Sequence, residues 1–179
     1  KKDFWCCIQT FAWVPSKRTP TESEFRWQSY CMLSFGCKGL LCWTYAGYEP
    51  ESPSLITVDG KRTNAWYDAA TVFTEIRAIS DAVVRYKNVG ALAHNCTDDT
   101  PYLKFSNSLR AFPTIEQIGC DDPLLIGCFA EENGSATALT IVNMSELAAV
   151  KTTHVKLKLA GSTVVAWPRG QRVVLVPDA

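Results

Sequence analysis

The sequence has no excess of charge of either sign. Its 179 residues include 18 basic and 18 acidic side chains, so the formal net charge is zero. A chain without a basic excess has no general electrostatic affinity for nucleic acid or for an anionic membrane, because it cannot neutralise their phosphates. The sequence also lacks any apolar run close to the roughly 20 residues that cross a bilayer. We therefore expect neither nucleic acid nor a membrane as partner.

Motifs for common cofactor and catalytic sites are also absent. The chain contains no CxxC pair, no GxGxxG or phosphate-binding loop, and no GxSxG nucleophile motif. The histidines, His94 and His154, have no cysteine at the spacing of zinc ligands. We therefore expect no cofactor and no bound metal.

The start of the chain and its cysteines bear on processing and location. The first five residues lack the apolar core of a signal peptide, and the sequence does not begin with methionine. We therefore expect a piece of a longer protein. The eight cysteines occur in a chain large enough to need no disulfides, and several lie in apolar runs where a thiol acts as a small hydrophobic group. Reduced thiols would fit a cytoplasmic or anaerobic setting.

Residues 1–88 alternate strand and helix patterns. Phe4–Phe11 is an apolar run of strand length, and Leu40–Tyr45 is apolar on both faces, as in a buried parallel sheet. Thr21-Glu22-Ser23-Glu24 has the form of a capping box and predicts a helix that runs to Gly36. A longer helix is predicted from Asn64 to Tyr86. The order strand, helix, strand, helix predicts two βα units.

Residues 89–179 change to short strands and turns. Leu124–Phe129 and Ala136–Asn143 flank an Asn-Gly pair, which is a strong hairpin signal. Residues 155–159 alternate apolar side chains with lysines, as in a strand with one face in water. A second hairpin is predicted between Val164–Trp167 and Arg172–Val176. This half therefore predicts an antiparallel β-sandwich.

Aromatic side chains are dense in the first fifty residues. Aromatic faces suit sugars, whose C–H groups present an apolar surface, but such rings also fill protein cores. For Trp5 and Trp27 we favour the core role. Trp43, Tyr45 and Tyr48 lie at or after the carboxyl end of a predicted strand, where α/β folds bind ligands. We therefore predict that these three residues form a binding site.

Three blocks of the first half form a more specific pattern: Arg26–Tyr30, Ser34–Tyr45 and Leu55–Thr63. Together they resemble the closing section of barrel glycoside hydrolases of the β-galactosidase type, related to glycoside hydrolase family 42. Leu125–Phe129 and Leu139–Asn143 are similar to the opening hairpin of the C-terminal β-domain in such enzymes. The resemblance implies a partial (β/α) barrel of about two βα units in residues 1–88, followed by a C-terminal β-sandwich domain in residues 89–179.

The resemblance also implies a sugar subsite but not a complete catalytic centre. Its substrate-binding residues would be Gln9, Trp13, Trp43, Tyr45, Tyr48 and Glu49. Retaining glycosidases need two carboxyl groups about 5 Å apart. We assign Glu22 and Glu24 to helix capping, and Glu49 and Glu51 to solvent or the rim of the site. The chain alone is therefore expected to be inactive, with its catalytic residues unidentified.

Two questions of partner and function stay open at this level. A full barrel takes about 250 residues, and two parallel strands alone leave open edges. The expected partner is either a missing N-terminal barrel portion or a second copy that associates through residues 1–88, in addition to carbohydrate. The alternative function is a non-catalytic carbohydrate-binding or structural accessory module. Exposed aromatics on the second half, at Tyr102, Phe105 or Trp167, would favour a separate binding module.

Overall fold

The protein contains both α-helices and β-sheets, as the alternation of patterns predicts. A computed structural model describes residues 2–12, 18–48, 53–96, 108–133, 137–145 and 153–160, together with the backbone of residues 162–166. These residues divide into two compact units. The first comprises described residues of Lys1–Met32 and Cys37–Asp81, and the second those of Leu33–Gly36 and Ala82–Ala179.

The first unit is built on a pair of parallel strands. β1 (Trp5–Gln9) and β2 (Gly39–Trp43) pair from Trp5 opposite Gly39 to Gln9 opposite Trp43. α1 (Glu22–Ser34) lies between them in the chain, and α2 (Asn64–Ala78) follows β2. The parallel pairing and the strand–helix order confirm that part of the sequence prediction.

One core joins the first strand to both helices. Ile8 of β1 is buried with Phe25 of α1 and with Val72 of α2. Alanines at positions 65 and 69 are also buried in this core, so α2 can lie close to its neighbours. The predicted apolar stripe of α2 therefore faces the core.

The opposite face of the strand pair is exposed, which corrects two predictions. Trp5 was expected in the core but is 66 % exposed. Leu41 of β2, expected in a strand buried on both faces, is 45 % exposed, and Trp43, which is predicted as a site residue, is 50 % exposed on the same face. Parallel sheets are normally covered on both faces. Within the described part of the chain, helices cover only the face that carries Ile8.

The N terminus of α1 carries the predicted capping box. The Thr21 N–H donates to Glu24 Oε2 at 2.9 Å, and the Glu24 N–H donates to Thr21 Oγ1 at 3.4 Å. Arg18 binds the same carboxylate. The hydrogen bond from Arg18 and those from Thr21 outweigh burial and lower the pKa of Glu24 to about 2.

We expect Glu24→Gln to reduce the free energy of unfolding by about 1 kcal/mol near neutral pH. Because the folded-state pKa of Glu24 is depressed, its contribution is complete above the ordinary value of 4.5 and is lost as pH falls towards 2. Urea unfolding of both proteins at neutral and at acidic pH measures this difference. A penalty that stays as large at the acid end as at neutral pH would contradict the assignment.

An ion-pair cluster joins the two long helices of the first unit. Arg26 of α1 donates two hydrogen bonds to Glu75 of α2, at 2.9 and 2.7 Å. Its guanidinium also binds Glu22 at 2.7 Å. Glu22 therefore pairs with a residue one turn further along α1, and the capping role assigned to it is corrected.

The predicted long helix from Asn64 to Tyr86 is interrupted. α2 ends at Ala78, Ile79 has φ −109° and ψ 6°, and α3 (Ser80–Arg85) begins at the next residue. The Ser80 hydroxyl donates to the carbonyl of Arg77 at 2.8 Å. Serine side chains compete with the backbone for such carbonyls, which gives a local reason for the break that hydrophobic periodicity does not show.

The second unit contains two three-stranded antiparallel sheets. One has β5 (Leu124–Ala130) between β3 (Lys87–His94) and β6 (Thr137–Asn143). The other has β7 (Val155–Leu159) between β4 (Ile115–Gly119) and β8 (Ser162–Ala166). Pairing of β5 with β6 confirms the first predicted hairpin. The arm Arg172–Val176 of the second lies outside the described residues.

Residues from both sheets meet in one core in the second unit. Leu124 and Ile126 of β5 are fully buried with Leu157 of β7. Along β7 the buried positions alternate with exposed lysines, which confirms the predicted one-sided strand. The alternation holds because successive strand side chains point to opposite faces.

Candidate functional site

The described site residues lie at and beyond the carboxyl ends of the two parallel strands. Gln9 ends β1 and is paired with Trp43, which ends β2. Tyr45 and Tyr48 follow on the segment that leads to α2. The predicted residues Trp13 and Glu49 lie outside the described residues, as does Glu51. The structure thus brings Gln9 beside Trp43, two residues that are 34 positions apart in the sequence.

The three aromatic rings of this site are open to solvent. Trp43 is 50 %, Tyr45 57 % and Tyr48 65 % exposed, and Gln9, which is paired with Trp43, is also exposed. Large aromatic rings usually contribute their area to a core or an interface. Rings exposed to this degree next to a carboxamide are available to a ligand that has one apolar face and hydroxyl groups at its edge.

The Gln9 side chain is held in one orientation. Its Nε2 donates to the carbonyl of Phe11 at 2.9 Å. From α1, Gln28 binds the Gln9 backbone: its Oε1 accepts from the Gln9 N–H at 2.9 Å, and its Nε2 donates to the Gln9 carbonyl at 3.5 Å. Gln28 thus supplies the contacts that a neighbouring strand would make at this position. Because the side-chain NH₂ group of Gln9 donates to Phe11, the side-chain oxygen Oε1 is the atom that can accept a hydrogen bond from a ligand hydroxyl.

Tyr48 is supported by a buried ring. Phe11, which is 7 % exposed, contacts Tyr48 edge to face with ring centroids 6.3 Å apart and an interplanar angle of 75°. This geometry is favourable for aromatic pairs. The Phe11 carbonyl also accepts the hydrogen bond from Gln9, so Phe11 contacts both the Gln9 side chain and the Tyr48 ring.

A buried hydroxyl cluster lies beneath the aromatic residues. The carbonyl of Thr44, between Trp43 and Tyr45, accepts hydrogen bonds from the hydroxyls of Thr10 and Ser54. Both residues are wholly buried, and their hydroxyl oxygens are 3.2 Å apart. The peptide bond between Trp43 and Thr44 is cis. Two buried donors on one carbonyl fix the backbone that carries the two rings.

The connection from β2 to α2 is folded back on itself. The Ile56 N–H donates to the Tyr45 carbonyl at 3.1 Å, and the Gly47 N–H donates to the Ile56 carbonyl at 2.9 Å. The Thr63 hydroxyl closes the segment by donating to the carbonyl of Ser54 at 2.6 Å. Arg62 stacks on the Trp66 ring at 4.0 Å. These contacts hold the site residues on a fixed backbone.

Sequence reasoning missed the residues that support the site. Thr10, Ser54 and Gln28 each contact a site segment that is 10 to 44 positions away. Their residue types are common at helix termini, turns and surfaces, so neither composition nor periodicity distinguished them. The tertiary structure places Thr10 and Ser54 at the Thr44 carbonyl, and Gln28 of α1 at the Gln9 backbone.

The described strand ends carry no acidic side chain. Residues 9–12 and 43–48 contain no aspartate or glutamate. Glu24 is engaged by Arg18 and Thr21, and Glu22 by Arg26. Among the residues with described positions, no three histidine, cysteine or acidic side chains come together in a way that could hold a metal ion. The described helices include none with the length and apolar character needed to cross a membrane.

Comparison with protein-family models, with curated proteins and with solved structures gives no match for this chain. The similarity to glycoside hydrolases therefore depends on the sequence blocks themselves.

Proposed function

We propose that this chain binds carbohydrate at the carboxyl ends of β1 and β2, as the C-terminal part of a glycoside-hydrolase-like protein. Trp43, Tyr45 and Tyr48 would stack on sugar faces, and Gln9 would bind a sugar hydroxyl. The observation that carries this proposal is the oriented Gln9 carboxamide paired with the exposed Trp43 at the strand ends, with the exposed Tyr45 and Tyr48 following in the chain. A sugar needs both groups, because its C–H face is apolar while its hydroxyls lose water on binding.

The arrangement of the first unit supports a barrel-derived origin. Two parallel strands are linked through a helix, and the core side chains of α1 and α2 lie with Ile8 on one face. In a (β/α) barrel, helices cover only the outer face of the sheet and the strands' carboxyl ends carry the site. We assign the first unit, which replaces the expected boundary at residue 88 with one at Asp81, to such a partial barrel, and the two sheets of the second unit, which share a core, to a β-sandwich.

The site as described supports binding more strongly than hydrolysis. Glycoside hydrolysis requires an acid and a nucleophile or base, both carboxyl groups, and the described strand ends have neither. This observation favours the second candidate function, a non-catalytic carbohydrate-binding or accessory module. Tyr102, Phe105 and Trp167, which would mark a separate binding face, lie outside the described residues.

The exposed strand face indicates the partner that such a protein would need. Trp5 and Leu41 present an apolar surface on the side of the sheet away from Ile8, towards the start and middle of the strand pair and away from the site end. We propose that this face is covered either by the remaining strands of a barrel or by a second copy of the chain. Either partner would also satisfy the backbone groups at the open edges of the strand pair.

Titration with neutral hexoses and β-linked disaccharides tests the proposal. We expect tryptophan fluorescence to change as the sugar covers Trp43, with dissociation constants in about the millimolar range. Myo-inositol, a polyol ring without a glycosidic centre, and an anionic sugar phosphate serve as comparison ligands. Absence of any saturable response to the whole panel, at concentrations up to about 50 mM, would overturn carbohydrate binding. Native mass spectrometry of the same sample reports whether the chain is monomeric or associated.

A further inference from the structure

A cationic side chain lies on the same folded connection as the aromatic residues of the site. Arg62 pairs with Ile56 through a β-bridge, and Ile56 pairs in turn with Ala46, which follows Tyr45 in the chain. Neighbouring segments in such pairings lie about 4.8 Å apart, so the backbones of Arg62 and Ala46 are separated by about 10 Å at most. A ligand of two sugar rings is long enough to reach from the aromatic residues to Arg62.

The Arg62 side chain is held against an aromatic ring. Its Cζ lies 4.0 Å from the centroid of the Trp66 ring. Trp66 belongs to α2, packs against the buried core of the first unit, and contacts Tyr67 edge to face with ring centroids 5.1 Å apart. A guanidinium stacked on a ring keeps its N–H groups in its own plane, where they can still donate to a ligand. The stack therefore restricts the orientation of the cation before a ligand binds.

The charge of Arg62 is not neutralised within the described part of the chain. Its neighbour Lys61 is paired with Asp59 at 2.7 Å. Arg62 is exposed to solvent, and the ion pairs between described residues are all formed by other side chains. The connection thus presents one oriented positive charge at the end of the strands that carries the candidate site.

We propose that Arg62 determines specificity at the carbohydrate site by binding the carboxylate of an acidic sugar, such as a hexuronate. This inference rests on the proposed carbohydrate function, in which the aromatic residues at the strand ends stack on the adjoining ring. A guanidinium donates two parallel N–H bonds to the two oxygens of a carboxylate, which a single sugar hydroxyl cannot accept. Because Lys61 is already paired with Asp59, the charge of Arg62 matches a carboxylate better than the nearly double charge of a phosphate monoester.

Matched pairs of neutral and acidic disaccharides test this role. Cellobiose and lactose are each compared, by calorimetric titration, with the disaccharide whose non-reducing ring has a carboxylate in place of its hydroxymethyl group. At low salt we expect the wild type to bind the acidic member about 5- to 10-fold more tightly. Salt at about 0.5 M should remove most of that preference, because it screens the charge. Arg62→Gln should lose the preference and keep the affinity for the neutral sugars.

Two further variants control for charge and for the fold. Lys61→Gln removes the adjacent cation, which is already paired with Asp59, and should keep the preference for the acidic sugar. Arg62→Lys keeps the charge but not the two parallel donors, so it should retain only part of the preference. Should Arg62→Gln fail to fold, the wild-type comparison of acidic with neutral sugars and the Arg62→Lys variant still decide the question.

The outcomes separate this role from the proposed function itself. Equal affinity of the wild type for both members of each pair would overturn the role of Arg62 and leave carbohydrate binding standing. A preference that survives in Arg62→Gln would place the carboxylate elsewhere and overturn it as well. Tighter binding of a sugar phosphate than of the acidic disaccharides would overturn the choice of a carboxylate. If none of these sugars binds, the proposed carbohydrate function fails, and this inference fails with it.

Discussion

Replacing Trp43 with alanine is expected to weaken carbohydrate binding by about 10- to 100-fold. An aromatic ring that becomes buried contributes about 1.5–3 kcal/mol, which corresponds to one to two factors of ten in affinity. Among the described residues at the strand ends, Trp43 has the largest exposed ring, and it is paired with Gln9. Because half of its surface is already in water, its removal should change the stability of the unit much less than it changes affinity.

Trp5→Ala is the matched control for this prediction. Trp5 lies on the same exposed face as Trp43 but at the opposite end of the strand pair. Its ring covers Gly39, since a Cβ built on that glycine would lie 2.5 Å from Trp5 Cδ2. We therefore expect Trp5→Ala to reduce stability by about 1 kcal/mol, as for loss of a cross-strand aromatic contact, and to leave sugar affinity unchanged.

Calorimetric titration and thermal unfolding of both variants separate the two effects. The expected pattern is a loss of affinity in Trp43→Ala and a loss of stability in Trp5→Ala. Wild-type affinity in Trp43→Ala would remove that residue from the site. An equal loss of affinity in both variants would show that the exposed face acts as a whole, and the assignment of the strand ends would be wrong.

Replacing Gly127 with alanine should destabilise the second unit by about 3 kcal/mol. A Cβ at this position of β5 would lie 2.5 Å from the carbonyl oxygen of Ser34 and 2.7 Å from its Cα. Ser34 belongs to the segment Leu33–Gly36, which is part of the second unit. Its own hydroxyl is within 2.7 Å of the Thr140 hydroxyl on β6. The new methyl group therefore meets backbone that cannot move without disturbing β6 as well.

Gly119→Ala is the control for an added methyl group on a strand of the same unit. A Cβ at Gly119 would lie 3.4 Å from the Lys156 Cβ, an ordinary van der Waals distance. We expect the unfolding midpoint of Gly119→Ala in urea to stay close to that of the wild type. Two variants with the same midpoint would mean that Ser34 does not pack against β5 in solution.

The candidate site lies at strand ends that can be predicted from the sequence. Trp43, Tyr45 and Tyr48 were predicted because they end or follow an apolar strand, and their exposure agrees with a binding role. Their support was not predicted, because Thr10 contacts the Thr44 carbonyl across 34 positions. Hydrogen bonds between residues so far apart in the chain produce no periodic pattern in the sequence.

The burial predictions failed on one face of the β1–β2 pair. Trp5 and Leu41 have the residue types of a covered parallel sheet, yet both are exposed in this chain. An apolar strand face is usually buried, but its composition does not show whether the segment that covers it belongs to the same chain. The prediction of one continuous helix from Asn64 to Tyr86 also failed, because α2 ends before Ile79, where the Ser80 hydroxyl donates to the carbonyl of Arg77.

By itself the sequence determined the alternation of strands and helices in the first half, the capping box at Thr21 and Glu24, and the one-sided pattern of Val155–Leu159. Each of these features depends on residues that are close together in the chain, and the periodicities of helices and strands apply over that distance. The tertiary structure alone decided that Gln9 lies beside Trp43, that Thr10 and Ser54 bind the Thr44 carbonyl, and that one face of the strand pair is exposed. These contacts depend on which strands become neighbours and in what register, and local periodicity does not specify either.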